Sequence, residues 1–160
     1  MKFAFVLLFG LASMLLPAGS AAHAEEALFK VHAKDGGPVL EVTPAELAKM
    51  KMHRYKAVLP GGTGQVQEVS GPLLRDVFAA AGVSGTKITA RALDGYELDI
   101  PMEDVQNFDV VAAIEVDGKP LSVRDRGPAW IVYPTVDHPE LKDALYEARS
   151  VWQLKELIVE

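Results

Sequence analysis

The sequence predicts a single β-rich α+β domain that follows an N-terminal signal peptide. Short apolar runs of strand length alternate with Gly, Pro and Asp turns, which is typical of antiparallel sheet. Two segments between these runs have apolar residues at helical spacing instead. The 160-residue chain has no cysteine, so we expect its stability to come from burial of apolar side chains and not from disulfides.

Residues 1–24 have the pattern of a secretory signal peptide. Met1 and Lys2 precede the apolar run Phe3 to Leu16, and Ala22-His23-Ala24 supplies the small-x-small pattern that signal peptidase reads. The apolar run is shorter than the roughly 20 residues that a membrane span needs, which makes an uncleaved anchor the weaker alternative. We therefore expect a periplasmic or secreted protein whose mature domain is residues 25–160, with no membrane span after cleavage.

The first elements of the mature chain are a hairpin, a short helix and a second pair of strands. Ala27 to Ala33 and Pro38 to Val42 flank an Asp-Gly-Gly turn. Thr43, Pro44 and Glu46 combine a capping hydroxyl, a proline at the first helical position and a glutamate three residues after the cap, which predicts a helix to about Lys51. Strands are predicted at 52–59 and 66–69. The glycine-rich loop between them lacks the Gly-Lys-Ser/Thr ending of a nucleotide loop, so it is interpreted as a hairpin end.

The segment from Pro72 to Ala81 is the clearest helix in the sequence. Leu73, Leu74, Val77, Phe78 and Ala81 form one apolar stripe, and Gly82 can end the helix in the left-handed conformation. A second hairpin follows, with strands at 87–93 and 96–100. Its Asp94-Gly95 turn suits the two positive-φ positions of a type I′ turn.

The last third of the chain alternates strands and short helices. The predicted elements are a helical turn at 101–105, a strand at 110–116, a tight turn at Asp117-Gly118, a strand at 130–133, a helix at 139–148 and a closing strand within the run Arg149 to Val159. With the earlier elements they make one β-rich α+β domain without internal repeats.

Two stretches of the last third are the candidate binding site. Arg124 to Pro134 and Arg149 to Val159 both pass from charged, turn-forming residues into an apolar strand, so polar groups are delivered to the end of a sheet, where ligand sites often lie. The candidate binding residues are Asp125, Arg126, Trp130, Arg149, Trp152 and Lys155. The alternative is that both tryptophans are core aromatics and that the charged residues belong to solvated turns.

Composition and motifs exclude several classes of function. The net charge of −6 and the lack of a clustered basic face argue against nucleic acid, whose binding depends on neutralising phosphates. No histidines are paired at ligand spacing and no thiolate exists, so no metal site is expected. No Gly-x-Ser-x-Gly elbow is present, and Asp137 with His138 most simply caps a helix. No catalytic residue can therefore be named, and whether the protein is an enzyme is left open, leaning towards no.

The order of several motifs resembles the sulfite oxidase-like molybdopterin-binding domain family. These motifs are Gly71-Pro72-Leu73-Leu74-Arg75-Asp76 before a helix that ends at Gly82, then Asp117-Gly118-Lys119-Pro120-Leu121, then Arg126-Gly127-Pro128, and a late lysine, Lys155. The resemblance covers nearly all of residues 25–160, although each motif alone is only moderately specific. It implies the sulfite oxidase-type molybdopterin-binding fold.

The resemblance also implies a cofactor site that this chain only partly retains. Enzymatic members hold molybdenum through a cysteine, which here would fall between Tyr55 and Pro60, where there is none. They hold the cofactor phosphate with an arginine at the place of Trp130. Asp125 stands where the family often has an asparagine that touches the pterin, and Lys155 matches a late lysine. We therefore expect a pterin as a noncovalent ligand, and no molybdenum.

This pattern resembles a small branch of secreted pterin-binding regulators that report to a membrane-bound enzyme of cyclic di-GMP metabolism. Trp130 could stack on the ring while Asp125 accepts hydrogen bonds from its amino-pyrimidine edge, and Arg126, Arg149 or Lys155 could meet the ring oxygen. Three functions remain: a pterin-binding sensor or adaptor with a membrane sensor protein as partner, a molybdenum-cofactor oxidoreductase with unusual ligation, and a ligand-free secreted interaction domain.

Overall fold

The computed structural model describes residues 25–160, and the predicted signal peptide at residues 1–24 lies outside this part of the chain. The strands are β1 (Phe29–Ala33), β2 (Pro38–Val42), β3 (Met52–Val58), β4 (Val66–Pro72), β5 (Lys87–Ala92), β6 (Glu97–Pro101), β7 (Val111–Ala113), β8 (Glu115–Val116), β9 (Lys119–Pro120), β10 (Trp130–Val132) and β11 (Leu154–Val159). The helices are α1 (Pro44–Leu47), α2 (Leu74–Ala81), α3 (Met102–Asn107) and α4 (Ala144–Arg149), with 3₁₀ turns at Val123–Asp125 and Pro139–Lys142. Within residues 25–160, no helix has the length and apolarity to cross a membrane.

Three sheets make up the domain. The largest has the strand order β2-β1-β11-β5-β6, in which β1 and β11 run parallel and every other pair is antiparallel. The others have the orders β3-β4-β8-β9 and β10-β7. Because the C-terminal strand β11 is the middle strand of the largest sheet, the segment just before it is fixed against the centre of the domain. Strands predominate over helices, which confirms the predicted β-rich α+β class.

The main core is built around α2 and the five-stranded sheet. Leu74, Val77 and Phe78 of the predicted apolar stripe are buried in it. The helix ends where the sequence predicts, because Gly82 adopts a φ of 67° and its N–H bonds to the carbonyls of Phe78 and Ala79. The face of α2 that the sequence assigns to the core is therefore the one that is buried.

A second, smaller core lies between the two other sheets. Its buried members are Ala57, Leu59, Val69, Leu73, Val111, Ala113, Trp130 and Val132. Strand β4 approaches β7 so closely that a Cβ on Gly71 would clash with the carbonyl oxygen of Ala112. This contact gives a physical reason for the glycine in the Gly71-Pro72 motif, since no larger residue fits there.

Two elements predicted as continuous are divided. The strand expected at 110–116 is β7 and β8, which pair with different sheets on either side of Ile114. The helix expected at 139–148 is a 3₁₀ turn followed by α4, because the Asp143 carboxylate accepts hydrogen bonds from the N–H groups of Leu145 and Tyr146 and so starts a new helix.

The pair of positive-φ residues that the sequence predicts at Asp94-Gly95 is found at Asp117-Gly118 instead. At Asp94-Gly95 only Gly95 has a positive φ, 88°, whereas Asp117 and Gly118 both do, at 50° and 73°. The Asp94 carboxylate instead accepts the N–H of Tyr96 at 2.9 Å. A side-chain hydrogen bond of this kind stabilises a turn without requiring a left-handed aspartate.

Candidate functional site

Arg126 lies between the two tryptophans of the chain. Its guanidinium carbon is 4.9 Å from the ring centre of Trp130 and 5.4 Å from that of Trp152. The two indoles meet edge to face, with ring centres 6.4 Å apart and planes at 89°. The guanidinium also donates to the carbonyl oxygens of Pro60 and Gly61, at 2.6 and 2.9 Å. Arg126, Trp130 and Trp152 are called the Arg126 cluster below, and they are three of the six residues predicted as the site.

The backbone around Arg126 holds this side chain in place. The Ser122 carbonyl accepts the N–H groups of Asp125 and Gly127, at 2.9 and 2.7 Å, which closes a tight turn. Arg126 follows with a φ of 70°, and its carbonyl accepts the N–H of Gln153 from the segment before β11. The turn and the closing run are thereby joined, as the sequence predicts for the two candidate stretches.

Asp125 lies beside the Arg126 cluster and is exposed. One of its carboxylate oxygens accepts the hydroxyl of Ser122 at 2.6 Å. The carboxylate therefore has a defined orientation and can still accept hydrogen bonds from a ligand.

Trp130 is a core residue, and this corrects the expectation that its ring stacks on a ligand. Only 3% of the residue is exposed, and its indole N–H donates to the Ser150 carbonyl at 3.0 Å. Trp152, by contrast, is 42% exposed. The aromatic surface offered to solvent therefore comes mainly from Trp152.

A polar groove of about 690 Å³ opens on one side of the Arg126 cluster. It is lined by Leu59, Gly62, Thr63, Gln65, Gln67, Val116, Lys119, Pro120, Leu121, Arg124, Asp125, Arg126 and Trp130. The lining combines apolar side chains with one carboxylate, three cationic side chains and two amides. The combination suits a flat ligand with a polar edge.

An apolar cavity of about 370 Å³ lies on the other side of the cluster. It is lined by Pro60, Gly61, Ala92, Asp94, Tyr96, Glu147, Ala148, Ser150, Val151 and Trp152. A smaller cavity of about 240 Å³ adjoins it and shares Pro60, Glu147 and Ser150. The Arg126 hydrogen bonds to Pro60 and Gly61 therefore stabilise the wall between the polar groove and the apolar cavity.

Arg149 is predicted as a ligand-binding residue, but it lies in a buried polar network. It ends α4 instead of standing at the start of a strand, and its Nη1 donates to Asp104 Oδ2 at 3.0 Å. The Tyr133 hydroxyl donates to the same oxygen at 2.8 Å. Asp104 is 7% and Tyr133 1% exposed, so the guanidinium balances a buried carboxylate and is not directed into the polar groove.

The buried network also changes the acidity of Tyr133. Burial, and then the neighbouring Asp104 carboxylate, raise the pKa of the Tyr133 hydroxyl well above its ordinary value. The sequence gives little indication of this network, because Asp104 has the spacing of an ordinary acidic residue in the first turn of a helix.

Lys155 also lies away from the other predicted residues. It is exposed on β11, with its Nζ 3.6 Å from Glu156 Oε1, and it lines neither the groove nor the cavity. Successive side chains of a strand alternate between faces, so Leu154 is buried while Lys155 points outward. The structure therefore brings together Asp125, Arg126, Trp130 and Trp152, but not Arg149 or Lys155.

Sequence reasoning missed the residues that the β5–β6 hairpin and the 60–64 loop bring to the site. Asp94 and Tyr96 come from a turn that was interpreted only as a hairpin end, and Pro60 and Gly61 from a loop interpreted in the same way. Their signal would have been the exposed tyrosine next to the turn, since an apolar side chain in a polar turn indicates a contact surface.

The side chains at this site do not fit a molybdenum that is held by a protein thiolate. The sequence contains no cysteine, and the end of β3, where the resemblance places one, has Ala57, Val58 and Leu59. Among residues 25–160, no group of three His, Asp or Glu side chains could hold a metal ion. The indole of Trp130, the residue that the resemblance places at the phosphate-binding arginine of enzymatic members, is buried.

Comparisons with protein families and with solved structures agree with the fold described above. The family model for the oxidoreductase molybdopterin binding domain matches residues 30–137. Among solved structures, the sulfane dehydrogenase SoxCD from Paracoccus pantotrophus has a similar fold, with a TM-score of 0.62 and 20% sequence identity over 84% of this chain. At this low identity the likeness shows the fold alone. This chain spans 38% of that SoxCD chain. No curated protein matches the sequence significantly. On the extent of the family match, this chain belongs to the oxidoreductase molybdopterin binding domain family.

Proposed function

We propose that this protein is a periplasmic pterin-binding sensor or adaptor that reports to a membrane-bound cyclic di-GMP enzyme or sensor kinase. The observation that carries the proposal is the polar groove beside the Arg126 cluster, whose lining combines apolar side chains with the exposed Asp125 carboxylate. Family membership supports a pterin-type ligand. The lack of any cysteine favours binding over molybdenum chemistry.

The groove offers the contacts that a pterin ring needs. The ring faces are flat and apolar, and Leu59, Pro120 and Leu121 supply an apolar surface for them. The amino-pyrimidine edge presents N–H donors, which the Asp125 carboxylate accepts in charge-assisted hydrogen bonds. Lys119, Arg124 and Arg126 then lie within the same lining to meet the ring oxygen or an anionic side chain of the ligand.

The proposed sensor role is supported by the expected location of the protein, whereas the proposed ligand is supported by the groove. The signal-peptide pattern of residues 1–24 supports a location in the periplasm or outside the cell. A protein there that binds a pterin without a redox metal can act by changing its affinity for another protein. A membrane protein with a periplasmic domain is the partner through which such a signal reaches the cytoplasm.

A molybdenum-cofactor oxidoreductase is the second candidate, because this chain belongs to a family named for that activity. It would require a metal ligand other than cysteine. A secreted interaction domain without a ligand is the third, and it would leave the polar groove without a function.

Native mass spectrometry of the protein secreted by its own host separates the three functions. A bound mass equal to a pterin supports the proposal, a molybdenum cofactor supports the oxidoreductase, and the bare polypeptide supports the interaction domain. Calorimetric titration of the secreted protein with biopterin and with tetrahydrobiopterin completes the test. If neither compound produces saturable heat with a folded protein, the pterin proposal fails.

A further inference from the structure

We infer that the apolar cavity beside Trp152 is the docking surface for a partner protein, and that the partner segment carries a bulky apolar side chain next to a Lys or Arg. The inference extends the proposed function, which requires a partner, by placing the surface at which that partner binds. It depends on the proposed function only for the existence of such a partner.

The size and lining of the cavity suit one large apolar side chain. Its volume of about 370 Å³ lies at the lower end of the range for ligand pockets. Ala92, Ala148 and Val151 form apolar walls, and Pro60 with Gly61 closes the side towards the polar groove. An inserted aromatic or branched aliphatic side chain would lose its hydration and gain close packing, which is the usual source of affinity at the centre of an interface.

Large apolar side chains are exposed at and beside the cavity. Tyr96 is 47% and Trp152 42% exposed. Leu93, also exposed, adjoins them, since its N–H donates to the carbonyl of Gln153, the residue after Trp152. Tyr and Trp are enriched at protein interfaces because they bury a large area and still offer a polar group. A contiguous exposed patch of this kind marks an interaction site.

The carboxylates that line the cavity favour a basic partner segment. The residues that line the cavity include two carboxylates, Asp94 and Glu147, and no Lys or Arg. The Arg126 guanidinium lies near the lining residue Trp152, but it is held by hydrogen bonds to the carbonyls of Pro60 and Gly61. The Asp94 carboxylate is oriented because one of its oxygens accepts the Tyr96 N–H at 2.9 Å. Glu147, on α4, is also exposed and lines the same cavity. A cation at the cavity would be attracted by both carboxylates, whereas an acidic segment would be repelled.

The position of the cavity also suits the readout of a ligand. Pro60 and Gly61 line the cavity and are at the same time the hydrogen-bond acceptors of Arg126, which lines the polar groove. A ligand that contacts Arg126 therefore acts one residue away from the docking surface. The cavity is the part of the described surface that is both apolar and directly connected to the groove.

Nuclear magnetic resonance titration of the ¹⁵N-labelled secreted protein tests the inference without any pterin present, so that failure of the pterin proposal leaves this test intact. The probe is an acetylated and amidated peptide, Gly-Lys-Phe-Arg-Gly. The matched controls are Gly-Glu-Phe-Glu-Gly, which reverses the charge, and Gly-Lys-Ala-Arg-Gly, which removes the anchor. We expect saturable shifts at the amides of residues 93–97 and 147–153, with both controls at least about fivefold weaker.

Variants of exposed residues complete the test. Asp94→Asn keeps the acceptor for the Tyr96 N–H, and together with Glu147→Gln it should weaken binding of the basic peptide by about three- to tenfold. Tyr96→Ala should weaken it through loss of apolar contact, while Lys49→Ala, which removes an exposed ion pair with Glu46 of α1, should leave it unchanged. The inference is overturned if the basic peptide gives no saturable shifts at these amides, if the acidic peptide binds equally well, or if neither the double variant nor Tyr96→Ala changes the affinity.

Discussion

The indole N–H of Trp130 donates a hydrogen bond to the carbonyl oxygen of Ser150 at 3.0 Å. The bond ties β10 to the segment that leads into β11, the middle strand of the largest sheet. The two tryptophans of the Arg126 cluster therefore differ, since Trp130 is buried and hydrogen-bonded whereas Trp152 is 42% exposed.

Replacing Trp130 should therefore destabilise the fold. We expect Trp130→Phe to lower the free energy of unfolding by about 1–3 kcal/mol, because the buried Ser150 carbonyl loses its donor, and Trp130→Ala by about 3–5 kcal/mol, because a cavity also remains. Denaturant unfolding measures both. Trp152→Phe is the matched control and should cost much less. An unchanged free energy for Trp130→Phe would contradict the structural role.

The sequence predicts this part of the fold well where local signals suffice. The apolar stripe of α2 and its ending at Gly82 follow from helical periodicity and from the conformational freedom of glycine. The junction of the two candidate stretches was predicted because both deliver polar groups to a sheet end. The division of the 110–116 strand was not, since Val111 and Val116 are both compatible with one continuous strand and only tertiary pairing separates them.

The candidate site was predicted only in part for the same reason. Asp125, Arg126, Trp130 and Trp152 lie together because the turn before β10 contacts the run before β11. The sequence predicts Arg149 as a ligand-binding residue because it shows the charge of Arg149 but not its buried counter-ion, Asp104, which lies 45 residues earlier. The orientation of Lys155 depends on strand register, and a shift of one residue reverses the face.

The buried ion pair leads to a second stability prediction. Arg149→Met should lower the free energy of unfolding by about 3–5 kcal/mol, because it leaves the Asp104 carboxylate buried without its counter-charge. The double variant Arg149→Met with Asp104→Leu should recover a large part of this loss, since no unpaired charge remains. Thermal and denaturant unfolding of the two single variants and the double variant measure the coupling. A double variant that is no more stable than Arg149→Met would argue against the pair as the cause.

Two tyrosines, the buried Tyr133 and the partly buried Tyr55, predict a loss of stability at alkaline pH. Burial raises the pKa of both Tyr55 and Tyr133 above the ordinary value of about 10. Below pH 10 both are protonated in either state, so their contribution is fully present. Above it the unfolded state releases protons that the folded state retains, and stability should fall by about 1.4 kcal/mol per pH unit for each tyrosine.

Denaturant unfolding between pH 8 and 11 measures this slope. Tyr55→Phe should reduce it, because phenylalanine does not titrate, although the variant also loses the hydrogen bond to the Val132 carbonyl. Tyr96→Phe is the control, since Tyr96 is exposed and its replacement should leave the slope as it was. Equal slopes for the wild type and Tyr55→Phe would mean that Tyr55 ionises normally in the folded protein.

A further prediction concerns the metal. We expect no stoichiometric molybdenum in the protein, because the chain has no thiolate to hold it and the resemblance places Trp130 where enzymatic members have a phosphate-binding arginine. Elemental analysis after expression in a host that makes and exports the cofactor measures the content. One molybdenum atom per chain would refute the prediction and would put the oxidoreductase ahead of the sensor.

The last prediction tests the carboxylate at the polar groove. Asp125→Asn should weaken binding of the pterin, because an amide cannot accept both N–H groups of the amino-pyrimidine edge as a carboxylate does, and the loss should be about 1.5–3 kcal/mol. That corresponds to a roughly ten- to hundredfold increase in the dissociation constant, measured by calorimetry. Ser122→Ala is the matched control, since it removes only the hydroxyl that orients Asp125 and should have a smaller effect. If both variants weakened binding equally, the loss would come from the geometry of the turn and not from a contact between Asp125 and the ligand.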